Sequence, residues 1–269
     1  MSTDKIVLNI AEFAIALDFL PPIDERIRSE LVNNRLKEDI QIYFRDFIID
    51  NHRRVIDYRI ELHQVYPFLL RKSKRSFLYF FEEFPSKIIT NQQLSGSQFI
   101  MVLRYVLQKL LSLHRGMLFH GAASNFQNKA VLFMGENGAG KSTVVNLLKD
   151  QHAVLADDSF IIKEDGGKLY LHQSPFFEKG LENKNPHKKY VVDKIFFLKK
   201  SNRFRLVRFK KKEDILVHLT HQLCVEEFFV KRLLHNIFVS IKKFDQCYVL
   251  EFVRDRKGLM RMIGKVLKY

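Results

Sequence analysis

Residues 134–143, Met-Gly-Glu-Asn-Gly-Ala-Gly-Lys-Ser-Thr, restrict the fold more than any other stretch, because such a segment works only between a strand and a helix. Gly135, Gly140, Lys141 and Ser142 fit the spacing G-x-x-x-x-G-K-[ST]. The glycines let the backbone turn its N–H groups inward around a polyphosphate, which a Cβ would obstruct. Lys141 has the reach for the β- and γ-phosphates of ATP, and the Ser142 hydroxyl suits Mg²⁺. The helix that follows points its positive end at the anion. The flanks come in the required order: "KAVLFM" (129–134) is a short apolar run, and "STVVNLLKD" continues as an amphipathic helix. Gly135, Glu136, Asn137, Gly138, Ala139, Gly140, Lys141, Ser142 and Thr143 are therefore expected to hold ATP. Lys141, at the helix start, is expected to face solvent.

Around this segment the chain reads as α/β in two regions, 1–95 and 96–269. In the first, 5–18, 55–65 and 76–84 pattern as strands, a short helix falls near 25–36, and Pro21-Pro22 marks a turn. The region is a small α/β module without chemical motifs. "NQQLSGSQ" (91–98) is a polar break, and Ser97 is the expected cap of a helix running through "FIMVLRYVLQKLLSLHR". Strands "GMLFHG" and "KAVLFM", the glycine loop, a helix, and strands "AVLADDSFII" and "KLYLHQ" follow. Beyond a basic connection come strands "VVDKIFFLKK" and "FRLVRF", helices at 211–222 and 226–243, strand "CYVLEFV" and a closing basic helix.

With 269 residues and 46% hydrophobic content the chain can bury a full core. No apolar run reaches the roughly 18 residues of a membrane span, and the first residues carry acids where a secretory signal carries bases. A cytoplasmic protein without a membrane span is expected. Cys224 and Cys247 lie far apart in apolar stretches, which suggests buried thiols rather than metal ligands or a disulfide.

The net charge of +15 is uneven: 21 basic residues face 8 acidic ones in 186–269, against 17 and 14 in 1–118. A surface of this kind favours an acidic peptide or protein as partner. Nucleic acid is disfavoured, since the cations are spread over several elements rather than aligned along one. Lys210, Lys211 and Lys212 form a dense run, with a solvated helix start as the alternative, and a homo-oligomer is left open.

Two further features bear on chemistry. "HAVLADDS" places Asp157 and Asp158 at the end of a short apolar strand, 16 and 17 positions beyond Lys141. In a fold of this type that strand end faces the phosphates. One carboxylate would order Mg²⁺ together with Ser142, while the other accepts a proton from an incoming hydroxyl. A solvated Asp-Asp turn is the plain alternative. Upstream, "LFHGAAS" sets His120 at the end of the preceding strand, 21 positions before Lys141. A lone His is more often structural.

The order strand-His-Gly, strand, G-x-x-x-x-G-K-S, helix, short strand-Asp-Asp resembles the HPr kinase/phosphorylase family, relatives of ATP-dependent phosphoenolpyruvate carboxykinase. The resemblance is close over about residues 116–165. It implies a P-loop kinase domain of the HPr kinase/phosphoenolpyruvate carboxykinase type behind a small N-terminal α/β module, using ATP and Mg²⁺. By the resemblance His120 matches the active-site His, Lys141 and Ser142 the phosphate-binding Lys and Mg²⁺-binding Ser, and Asp158 the base that deprotonates the acceptor serine. The arrangement is also similar to peptide-modifying serine kinases, including those acting on lasso-peptide precursors, so the acceptor it implies is a peptide or small protein. Thr143 stands where HPr kinases carry Glu. Their Gly-rich segment with a second metal-binding Glu has no counterpart between 166 and 200. A nucleotide-binding regulatory protein or ATPase without a phosphoryl acceptor is the alternative from another class.

Overall fold

The computed structural model describes residues 4–21, 35–50, 54–64, 81–176 and 185–267. The chain divides into two compact units, Met1–Leu107 and Gln108–Tyr269, and the division falls inside one helix.

The first unit is built on a five-stranded mixed sheet in the order β1-β2-β3-β5-β4. Its strands are β1 (Asp4–Ile10), β2 (Phe13–Leu20), β3 (Tyr58–His63), β4 (Glu82–Glu83) and β5 (Lys87–Asn91). The stretch expected as one strand over 5–18 is instead a hairpin, in which Asp4 pairs Phe19 and Ile10 pairs Phe13. Its turn is Ala11-Glu12, with φ of 50° and 70°. Two successive left-handed residues make a two-residue hairpin turn, but neither is the Gly or Asn that advertises one. Strand β2 is buried nearly throughout and pairs β3 in parallel, which explains why its residues are apolar apart from Asp18. Asp18, the one charge buried within it, accepts a hydrogen bond from Arg59 Nη1 at 2.8 Å. Helix α1 (Arg35–Tyr43) buries Leu36 and Ile40. Residues 25–34 of the expected first helix and 76–80 of the expected third strand lie outside the described residues.

Helix α2 (Gly96–Leu113) begins with a reciprocal cap: Ser95 N–H donates to Gln98 Oε1 at 2.9 Å and Gln98 N–H donates to Ser95 Oγ at 3.3 Å. The cap is Ser95 rather than the expected Ser97, because only Ser95 stands three residues before a glutamine.

The second unit carries a nine-stranded mixed sheet. Its strands are β6 (Gly116–His120), β7 (Ala122–Phe126), β8 (Lys129–Met134), β9 (Val154–Ala156), β10 (Ser159–Asp165), β11 (Lys168–Gln173), β12 (Tyr190–Lys200), β13 (Arg205–Arg208) and β14 (Cys247–Phe252). The main path runs β6-β10-β11-β12-β8-β7-β9, with β14 joining β12 and β13 joining β14. Helices α3 (Lys141–Leu148), α4 (Lys212–His221), α5 (Val230–Ser240) and α6 (Arg256–Leu267) complete the unit.

Strands β8 and β12 run parallel side by side at its centre. Alternation sends Ala130, Leu132, Met134, Ile195 and Phe197 into one apolar cluster with Ile215, Leu219 and Ile237 of α4 and α5. Val131, Phe133, Phe196 and Leu198 enter the other, with Val144, Leu148, Leu259 and Ile263 of α3 and α6. Both faces of these strands are thus covered.

The expected single strand "AVLADDSFII" is two: β9 closes one end of the strand path and β10 is second from the other, although only two residues separate them. Strands β6 and β7, separated by Gly121 alone, are likewise first and second-to-last in the path, so the sheet bends back on itself there. His120 pairs Ser159 on one side of the break and Ala123 pairs Ala156 on the other, while Gly121 N–H donates to the Asp158 carbonyl at 3.0 Å between them. One bent ladder therefore carries both the His-Gly and the Asp-Asp dipeptides. Strand β7, "AASNF", is too small and polar to stand out in the sequence; its partners on both sides make it a strand.

Candidate functional site

Strand β8 ends at Met134, and the chain runs through residues 135–140 into α3. Gly135, Gly138 and Gly140 all have positive φ, of 148°, 77° and 100°. Ala139 N–H donates to the Glu136 carbonyl at 3.0 Å, closing a tight turn, and Val144 N–H donates to the Gly140 carbonyl at 2.9 Å as a first helical bond. Glu136, Asn137 and Gly138 are exposed, Ala139 and Gly140 half-buried. Ser142 is exposed on the first turn of α3, and Thr143 is half-buried.

Lys141 does not face solvent as its place at a helix start suggested. It is 7% exposed, and its Nζ donates to the carbonyls of Gly135 at 2.8 Å and Glu136 at 3.1 Å. The two carbonyls satisfy an ammonium that burial would otherwise leave without acceptors. Burial holds the ammonium below the usual lysine range, and the negative charge of Asp158 acts against that shift.

The bent ladder supplies the other side of the arrangement. His120 Nδ1 lies 3.4 Å from Asp158 Oδ1, with the two side chains 35% and 39% exposed. His120 is anchored through its N–H, which donates to the Gln222 carbonyl at 2.8 Å. Asp157, half-buried, precedes it at the same break. His120 and Asp158, widely separated in the sequence, are thus brought together by the bent ladder. Among the described residues no three His, Cys, Asp or Glu side chains group as a metal site. Cys247 is buried and its thiol pushed up to about 12 by burial, whereas Cys224 is only half-buried; neither forms a disulfide.

Beside the loop lies a cavity of about 520 Å³, whose walls include residues 135–139 together with Lys199, Lys200, His218 and His221. Sequence reasoning passed over these four. Lys199 and Lys200 close β12, whose Phe197 pairs Met134 at the end of β8, so both charges stand at the loop's end of the sheet. Open α/β sheets bind ligands at that end of their parallel strands. The pairing of two strands some sixty residues apart is what the linear pattern conceals. His218 is held by Nδ1–H donating to the Asp214 carbonyl at 2.8 Å and by edge contacts with Phe197 and Phe209.

No described helix is long and apolar enough to cross a membrane. Comparison with curated proteins finds no match. Among solved structures, that of the Hpr(Ser) kinase/phosphatase from Coxiella burnetii matches at 16% identity over 34% of this chain and 77% of that one, with a TM-score of 0.26. A superposition so loose assigns no role to any residue here. The family model described as "SynChlorMet cassette protein ScmC" matches residues 88–228, a span that contains the glycine loop, His120, both aspartates and the cavity lysines. Because that match takes in more than half of the 269 residues, the chain belongs to the SynChlorMet cassette protein ScmC family.

Proposed function

We propose that this protein is an ATP-dependent phosphotransferase that phosphorylates a hydroxyl, a serine of a peptide or small protein. The observation that carries the reading is the His120–Asp158 pair at 3.4 Å on the bent ladder whose strand β7 pairs with β8, the strand that runs into the glycine loop. A carboxylate next to a phosphate-binding loop is where a general base for an incoming hydroxyl belongs.

In this reading the N–H groups of residues 135–140 and the Lys141 ammonium receive the phosphates. Lys141 exchanges its two carbonyl acceptors for phosphate oxygens. Asp158 takes the proton of the acceptor hydroxyl as the oxygen–γ-phosphorus bond forms, and ADP leaves with the electrons of the broken bridging bond. His120, pinned by its backbone bond to Gln222, orients Asp158. For Mg²⁺ the fit rests on donor chemistry: Ser142 and Asp157 or Asp158 provide hard oxygens, and this ion needs only one or two protein ligands when phosphates and water complete its octahedron. When bound it neutralises charge on the phosphates. Lys141, Asp158 and His120 do the remaining positioning and proton handling.

The test is ADP production by the full chain, measured with ATP·Mg²⁺ alone, with serine-containing peptides, and with DNA or RNA. A peptide-dependent signal, lost in Lys141→Ala and Asp158→Asn, is expected. A nucleic-acid-dependent signal, or nucleotide binding without turnover on any acceptor, overturns the phosphotransferase reading.

A further inference from the structure

The cavity beside the loop has a composition that the nucleotide reading does not use. Its floor is apolar, from Phe197, Leu198, Val217 and Val249. Apart from Gln222 and the loop's own Glu136 and Asn137, the polar side chains on its walls are Lys199, Lys200, His218 and His221. Among the described residues no carboxylate pairs with Lys199 or Lys200, whereas Lys194 has Asp193 and Arg203 and Arg205 share Glu251. Glu251 is the register partner of Lys199 across β12 and β14, yet its carboxylate is directed to those two arginines. Two exposed ammonium groups thus stand without a carboxylate ion pair beside apolar residues of the same cavity, so an incoming anion displaces no existing partner. The position is equally telling. The cavity shares residues 135–139 with the loop and ends at Gln222, whose carbonyl holds the His120 N–H. It thus borders the loop directly and, through Gln222, the strand β6 that carries His120.

We infer that this cavity is the acceptor subsite, and that Lys199 and Lys200 receive Asp or Glu side chains flanking the hydroxyl of an acidic peptide. The inference rests on the phosphotransferase reading and names its substrate class. It moves the contact away from Lys210–Lys212, where Lys212 is already committed to the Phe244 carbonyl at 3.1 Å.

The experiment is direct binding by fluorescence anisotropy, using a labelled peptide with one serine flanked by glutamates and its glutamine counterpart. The full chain is compared with Lys199→Glu/Lys200→Glu and with Arg261→Glu/Lys265→Glu, an equal charge change on α6, each with and without ADP·Mg²⁺. The acidic peptide should bind the parent at least about tenfold more tightly than the glutamine peptide. That preference should vanish in the first variant, persist in the second, and leave ADP affinity unaltered in both. The subsite is overturned by no preference in the parent, by equal loss in both variants, which makes the attraction one of bulk charge, or by loss of ADP rather than peptide affinity in Lys199→Glu/Lys200→Glu, which assigns the lysines to nucleotide phosphates. Failure of the phosphotransferase reading shows elsewhere, as nucleotide binding without ADP production on any acceptor peptide.

Discussion

The Lys141 ammonium donates to the carbonyl of Gly135, the first residue of its own loop, at 2.8 Å. The side chain that receives phosphate in the proposed reaction is thus also a brace of the loop. Lys141→Ala is expected to abolish ATP·Mg²⁺ binding and to lower stability by about 1 kcal/mol, since two carbonyls lose a charged donor while a buried charge is relieved. Titration calorimetry and urea unfolding measure the two effects separately. Binding equal to the parent's rules out the loop as a nucleotide site.

Asp158→Asn keeps the shape of the side chain and removes the base. ATP affinity should stay within a few-fold of the parent, while phosphoryl transfer falls by about 10²-fold or more. Single-turnover kinetics on a serine peptide provide the measurement. Undiminished transfer would place the base at Asp157 or end this mechanism.

Two glycines of the loop should respond unequally to alanine. A Cβ on Gly140, at φ +100°, comes within 2.7 Å of Phe252 Cζ, whereas one on Gly138, at φ +77°, meets nothing within 4 Å. Gly138→Ala then costs about 1–2 kcal/mol for its left-handed backbone alone. Gly140→Ala adds overpacking against a buried ring, a further 1–3 kcal/mol or so. Urea midpoints order the two variants, and equal midpoints contradict the packing of Phe252 under the loop.

Acid should loosen the second unit through Glu164. Its carboxylate lies 2.6 Å from Lys243 Nζ and 3.2 Å from Arg115 Nη1, and accepts from Ser240 Oγ at 2.9 Å. The hydrogen bond to Lys243, followed by those to Ser240 and the charges of Lys243 and Arg115, outweighs burial and holds the carboxyl below its ordinary value of 4.5. The stabilisation is therefore fully present above about pH 4.5 and is lost as pH falls through the depressed folded value. Glu164→Gln should lose about 1 kcal/mol at pH 7 and show a shallower decline of stability below pH 4.5 than the parent. Parallel declines in the two proteins, followed by urea unfolding at pH 7, 4.5 and 3, would assign the acid sensitivity to other carboxylates.

Local chemistry by itself determined the strand–glycine loop–helix segment at 129–148, because each of its residues acts through its own backbone or its immediate neighbours. Strands β11, β12 and β14 and the later helices were legible for the same reason: their periodicity reflects burial on a face that the strand or helix defines alone. Three things were decided only by tertiary structure. Ala11-Glu12 became a hairpin turn because β1 found β2 as partner, without any glycine to announce it. Asp157-Asp158 became a break between two strands because the curled sheet returns to β6 and β7 there, bringing Asp158 to His120. Lys199 and Lys200 became walls of the loop's cavity because β12 lies beside β8. Pairings across tens of residues are set by which strand lies next to which, and no local pattern encodes that choice.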